Sequence, residues 1–183
     1  MSREVLFGLG NLAERMAALV GEDANTETVE AAADAATAYV HVGQLFTAPK
    51  ACTVTTILGS CVSVCLWDPS TGAGGLNHFL LPQCVENGIS SPRFGNIAIR
   101  RLLDELADLG STRARLKAKI FGGASVIDAF QSANESLGSK NVDLARRLLA
   151  DAGIPIVAED VGGVQGRKLV FQTGDGTAWV RKI

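Results

Sequence analysis

The sequence predicts an α+β (mixed α/β) fold, a mixed sheet with helices on its faces. Three observations predict it. Apolar strands joined by glycine-rich turns fill the front of the regular region. Two stretches of helical periodicity alternate with single strands in the middle. A hairpin closes the chain at Gly174-Asp175-Gly176. The 183 residues suit one domain with an appended terminus, and an apolar fraction of 47% supports a real core.

Residues 1–37 read as an N-terminal extension to a domain at 38–183. Leu9, Leu12, Met16 and Leu19 recur at helical spacing, which leaves two readings: an amphipathic helix that docks on the domain or on a partner, or a loosely packed extension. A polar break from Gly21 to Thr28 leads to an alanine-rich run ending near Ala38. The regular domain begins at Tyr39 to Gly43, where His41 is expected at a surface or strand edge.

Thr55 to Leu58 is a short apolar strand, turned at Gly59-Ser60 into Cys61 and a second strand, Val62 to Trp67. A loop rich in Gly, Ser and Pro reverses the chain into a return strand that carries Asn77 and His78 before Pro82. Gln83 to Ser91 is loop-like. Ser91-Pro92 marks a helix start, Ala98, Leu102, Leu103, Leu106 and Leu109 supply its apolar face, and Gly110 stops it. Leu116 to Phe121 is a strand ended by Gly122-Gly123-Ala124. A second helix runs from about Asn141 to Ala152 and stops at Gly153. Ile154 to Val157 is a strand, followed by Glu159-Asp160 and the Gly162-Gly163 turn. Lys168 to Thr173 and Thr177 to Lys182 are the closing hairpin.

Composition excludes several function classes. A net charge of −2 with no lysine-rich tract leaves no electrostatic footprint for nucleic acid. No apolar run is long enough for membrane insertion, and Glu14 and Arg15 interrupt the N-terminal apolar residues, so a cytoplasmic protein is expected. Gly122-Gly123 and Gly162-Gly163 match no phosphate loop and read as tight turns. No cofactor is expected.

The chemistry concentrates in Cys61 and His78. A free thiol is only a few per cent ionised at neutral pH, and an imidazole beside it raises its nucleophilicity by taking the proton. The peptide N–H groups of the Gly59-Ser60-Cys61 turn are candidates to hold a thiolate or an oxyanion. The competing reading makes Cys61 a small core residue and His78 a satisfied core histidine. The four cysteines, Cys52, Cys61, Cys65 and Cys84, contain no C-x-x-C pair, and reduced thiols are expected. Cys61, Cys65, His78 and Cys84 are zinc-type ligands, but on a strand Cys61 and Cys65 lie about 13 Å apart, too far to share an ion. No metal is expected.

The sequence resembles the CheD family, the bacterial chemoreceptor glutamine deamidases. The residues that carry the resemblance are Leu58-Gly59-Ser60-Cys61-Val62, Gly74-Gly75-Leu76-Asn77-His78-Phe79-Leu80-Leu81-Pro82 and Phe94-Gly95-Asn96. It continues through Ala118 to Ala124, Gly138 with Asn141, and Asp160-Val161-Gly162-Gly163 with Arg167. It covers about residues 39–182, with Phe94 where the family pattern has Tyr.

The resemblance implies mixed β-sheets packed together with helices outside, as in the cytotoxic necrotizing factor-like thiol deamidases. It implies a catalytic Cys61 and His78, with Thr55, six residues before the cysteine, as third member. Asn77, Phe121, Gly122 and Gly123 are expected to line the substrate site. It also implies hydrolysis of glutamine side chains to glutamate on the cytoplasmic helices of chemoreceptors, through a thioester, and binding of a CheC-type phosphatase. Two alternatives remain at this level. One is a docking module for receptors or such a phosphatase that works by occupancy. The other is a different acyl chemistry on the same residues, ester hydrolysis or transglutamination.

Overall fold

The computed structural model describes residues 37–83, 91–125 and 136–183. The expected N-terminal helix, Cys84 and most of the loop after Gln83 lie outside the described residues.

Among the described residues nine strands form two sheets. They are β1 (Thr37–Tyr39), β2 (Gln44–Ala48), β3 (Thr53–Leu58), β4 (Val62–Trp67), β5 (Gly74–His78), β6 (Lys117–Gly122), β7 (Ile156–Val161), β8 (Arg167–Gln172) and β9 (Ala178–Lys182). The four-stranded sheet has the order β1-β3-β8-β9 and the five-stranded sheet β2-β5-β4-β6-β7. β1 runs parallel to β3 and β7 parallel to β6; the other pairs are antiparallel. Helices α1 (Gly95–Asp108) and α2 (Leu137–Asp151) pack on the five-stranded sheet. The predicted α+β class, mixed sheets packed together with helices outside, is the observed one.

Two apolar clusters follow from strand alternation. Val62, Val64, Leu66 and Phe79 face the helices, with Leu102, Leu106, Ala145 and Leu149. Cys65, Trp67, Leu76 and Phe121 face the other sheet, with Val54, Leu58, Leu169 and Phe171. Covered on both sides, β4 is buried at every residue.

Several bounds differ from the sequence reading. α1 starts at Gly95 rather than at Pro92, because Phe94 bridges to Leu81 and the carbonyl of Arg93 takes the N–H groups of Leu80 and Leu81. α2 starts four residues before Asn141, with Ser136 as its cap: the Ser136 side chain accepts from the Ser139 N–H at 3.1 Å. β7 runs through Glu159 and Asp160, since pairing with β6 extends it to Val161. β2 has no counterpart in the sequence reading; Gly43 turns the chain after β1 with φ +78°, and β2 pairs along β5. Gly110 and Gly153 do end their helices, at φ +87° and +69°.

Candidate active site

Cys61 sits where the chain crosses from one sheet to the other. β3 ends at Leu58, the Gly59-Ser60 turn crosses over, and β4 begins at Val62. His78 is the last residue of β5. Val62 and Phe79 form an antiparallel bridge, with Val62 N–H to Phe79 O at 3.1 Å and Phe79 N–H to Val62 O at 3.0 Å. Both of their side chains join the helix-side core. Alternation therefore turns the neighbours Cys61 and His78 to the opposite face, the one between the sheets. There they are diagonal cross-strand neighbours, about 7 Å between backbones and within reach of each other's side chains.

The imidazole is oriented by its Nδ1. Thr56 Oγ1 lies 2.9 Å from His78 Nδ1 and donates to the Val40 carbonyl at 2.7 Å. A hydroxyl has one proton. With that proton on Val40 O, Thr56 must accept from His78, which puts the ring proton on Nδ1 and leaves Nε2 as a bare lone pair. His78 Nε2 is buried and has no hydrogen-bond partner. His41, exposed in the turn after β1 as expected, contributes only through charge. Burial holds the His78 imidazole below its ordinary range, the Val40 carbonyl opposes this, and the charge of His41 adds to the lowering.

The threonine that meets the imidazole is not the expected third residue, Thr55. Val54, Thr56 and Leu58 are fully buried and face the five-stranded sheet. Thr55 stands on the other face of β3, paired in register with Tyr39 and Val170. Six residues before the cysteine, the strand faces away from His78. The threonine on the imidazole is Thr56, recoverable from the parity of Val54 and Leu58.

The cysteine turn is fixed through its carbonyls. Gly59 O accepts from Ala124 N–H at 2.8 Å, Cys61 O from Gly123 N–H at 2.8 Å, and Ser60 O from Asn141 Nδ2 at 3.1 Å. Three consecutive carbonyls are thus held on the scaffold side. The Cys61 N–H is turned to its own sulfur: burial pushes the thiol up and this N–H opposes it. Asn141, fully buried on α2, also donates to Leu80 O at 2.9 Å, so one side chain ties the turn before Cys61 to the segment just after His78.

Gly122 and Gly123 pack against this turn. Gly122 has φ +108°, and a Cβ there would stand 2.2 Å from Cys61 O; at Gly123, φ +68°, it would meet Val142 Cγ2 at 2.5 Å. Beneath them Arg167, fully buried, donates to Gly122 O at 2.8 Å and to the carbonyls of Asp160 and Gly162. Asn77, expected to line the site, is fully buried. It points to the helix side, where its Oδ1 accepts from Val64 N–H at 2.9 Å. The β4–β5 ladder is interrupted there, so Asn77 fills the gap beside His78. Phe121, paired with Ser63, is on the face between the sheets and only 4% exposed.

Sequence reasoning missed the working roles of Thr56, Asn141 and Arg167. The signal was present in each case: a polar residue at a position whose periodicity is that of the core, Arg167 with Leu169 and Phe171, Asn141 with Ala145 and Leu149. Among the described residues no group of three His, Cys, Asp or Glu converges as a metal site, and no helix is long and apolar enough to cross a membrane.

Burial disfavours the charged form of both groups, raising the thiol and lowering the imidazole, which favours a neutral resting pair. Alkylation of Cys61 by iodoacetamide is therefore expected to keep accelerating above the ordinary thiol range of about 8.5. A plateau reached by pH 7 would mean a resting thiolate–imidazolium pair instead. Cys65, fully buried and pushed up to about 12, is expected to stay unlabelled in the folded chain.

A family model described as CheD chemotactic sensory transduction matches residues 80–182. "Probable chemoreceptor glutamine deamidase CheD 1" of Anaeromyxobacter dehalogenans is 52% identical over 79% of this chain and 84% of its own length. "Probable chemoreceptor glutamine deamidase CheD" of Sulfurimonas denitrificans is 40% identical over 79% of this chain and 93% of its own. The protein of the same name from Trichlorobacter lovleyi is 44% identical over 68% and 77%. Among solved structures, Bacillus licheniformis hypothetical protein YfiH matches at 16% identity and a TM-score of 0.35, covering 58% of this chain and 45% of that one, a likeness too slight to bear on the fold. The chain belongs to the CheD family.

Proposed function

We propose that this protein hydrolyses selected glutamine side chains of chemoreceptors to glutamate, with Cys61 as nucleophile and His78 as base. The observation that carries the reading is the free Nε2 of His78, fixed as a lone pair by Thr56, on the same face as Cys61. Relatives at up to 52% identity that bear the name chemoreceptor glutamine deamidase support the substrate.

The steps follow from the residues. Cys61 Sγ attacks the carboxamide carbon as His78 Nε2 takes the thiol proton. The carbonyl oxygen becomes an oxyanion, held by the N–H groups of the Gly59-Ser60-Cys61 turn, whose carbonyls are tied back to Gly123, Ala124 and Asn141. Collapse expels ammonia, which receives the proton from His78, and leaves a thioester on Cys61. His78 Nε2 then takes a proton from water; the hydroxide attacks the thioester and the thiol is regenerated. One glutamine and one water become one glutamate and one ammonia. Thr56 keeps Nδ1–H engaged throughout, so the proton moves only at Nε2. A threonine cannot offset the imidazolium charge as a carboxylate would, so His78 is a base with a positioned ring and no counter-ion among these contacts.

The test incubates the chain with a chemoreceptor cytoplasmic fragment and reads receptor peptides by mass spectrometry. Glutamine is expected to become glutamate with the intact chain and not with Cys61→Ala. Stable binding without conversion on several receptors would instead favour a docking module. Incorporation of an added amine in place of water would favour transglutamination. A CheC-type phosphatase is a further proposed partner, and retention of its binding by Cys61→Ala would separate docking from chemistry.

A further inference from the structure

The inner side of the four-stranded sheet is buried against its neighbour, and its outer side carries a pattern of its own. Tyr39 pairs with Thr55, Thr55 with Val170 and Val170 with Trp179, so these four form one row across all four strands. The row spans about 14 Å. Tyr39 is 46% exposed and Trp179 55%. One step along the strands, about 7 Å away, Ile57, Lys168 and Arg181 form a second row, with Ile57 46% exposed.

Lys168 and Arg181 stand directly opposite each other, an arrangement that costs stability unless an anion meets it. Neither joins an ion pair among the described residues. In β8 and β9 Arg167 is buried on the inner side and Lys182 pairs with Asp160, so the unmatched charges on this face are Lys168 and Arg181. The face is thus an aromatic row flanked by an unmatched cationic row.

We propose that this face is a docking surface for an acidic amphipathic helix of the protein substrate, separate from the Cys61 site; the proposal rests on the deamidase reading above. About nine to ten helical residues cover 14 Å at 1.5 Å each. Such a helix laid along the aromatic row would put its apolar stripe on Tyr39, Val170 and Trp179 and its carboxylates over Lys168 and Arg181. An anionic lipid surface is the weaker fit, because lipid-binding patches carry four to eight cations and this face carries two. A protein-modifying enzyme gains from such a surface because contacts remote from the reacting amide hold the substrate in place.

The chain has two tryptophans, and Trp67 is only 5% exposed, so acrylamide quenching reports mainly on Trp179. The probe is a receptor cytoplasmic fragment without tryptophan. Trp179 is expected to be quenched in the free chain and shielded when the fragment is added. The Lys168→Glu/Arg181→Glu variant is expected to raise KM for the fragment about tenfold with kcat retained, since it removes charge pairing and leaves the catalytic groups intact. An unchanged KM, or Trp179 still open at saturating fragment, overturns the proposal. So does Trp179 already shielded in the free chain, which would assign the face to another part of this chain or to a second copy. Shielding by anionic vesicles and not by the fragment would assign it to a membrane. Failure of deamidation with normal shielding of Trp179 would leave the surface standing and count against the catalytic reading alone.

Discussion

Replacing His78 by alanine is expected to lower glutamine conversion by about 10²–10⁴-fold, the range for loss of a general base. Thr56→Val is expected to cost less, about ten- to a hundredfold, and Thr55→Val to change turnover little. The ranking follows from one proton. In Thr56→Val the Nδ1–H and the Val40 carbonyl both lose their partner, the ring can re-orient, and the lone pair is no longer held at Nε2. Two buried polar groups are also orphaned, at about 1–3 kcal/mol each, so the variant should melt lower as well. Thr55 is on the far side of β3 and makes none of these contacts with His78. Steady-state kinetics on a receptor fragment for the three variants checks this; equal losses at Thr55 and Thr56 would contradict it. The acid limb of kcat/KM should also lie below the ordinary histidine range, because burial disfavours the imidazolium and the base form is what the reaction needs.

Gly122→Ala is the second large effect. The residue sits at φ +108°, and the new Cβ would stand 2.2 Å from Cys61 O, a backbone atom that cannot swing aside. The strain of such a φ costs about 1–3 kcal/mol. The displacement matters more. Relief requires the cysteine turn to move against the bonds from Gly123, Ala124 and Asn141, and a shift of about 1 Å in a reacting group costs on the order of 10²-fold. Gly72 is the control. It has φ +75°, and an added methyl there would find nothing within 4 Å, so Gly72→Ala should lower thermal stability while leaving turnover intact. Thermal unfolding and receptor conversion, measured together on both variants, separate strain from close approach. Equal turnover in the two would mean that the Gly122 contact does not position Cys61.

Much of the fold is legible in the sequence. β4 reads as a strand because Val62 to Trp67 is rich in β-branched and apolar residues, and its placement between two layers explains why no polar face interrupts it. The closing hairpin is legible from alternation and from Gly174 to Gly176, and the ends of both helices from Gly110 and Gly153. Helix starts are not, because they depend on tertiary partners: Phe94 on Leu81, and the cap at Ser136 on where α2 meets the sheet. The thiol and imidazole proposed for catalysis are legible from residue type and spacing. Their support is not. A spacing counted along the chain does not say which face a strand residue takes, and it is the face that decides between Thr55 and Thr56. Gly122, Gly123 and Asn77 read as site lining because small and polar residues near a nucleophile suggest room for substrate. In the structure the glycines let backbones approach and Asn77 fills an interrupted ladder, contacts that only packing reveals.

The most direct test of the account is to look for the acyl enzyme itself. The chain is mixed with a receptor cytoplasmic fragment, quenched in acid during turnover, digested, and searched by mass spectrometry for a receptor peptide joined to the peptide that contains Cys61. A thioester is expected there, absent in Cys61→Ala, with glutamate appearing only where the thioester can form. Glutamine conversion by Cys61→Ala at the rate of the intact chain, with no adduct on Cys61, would contradict it.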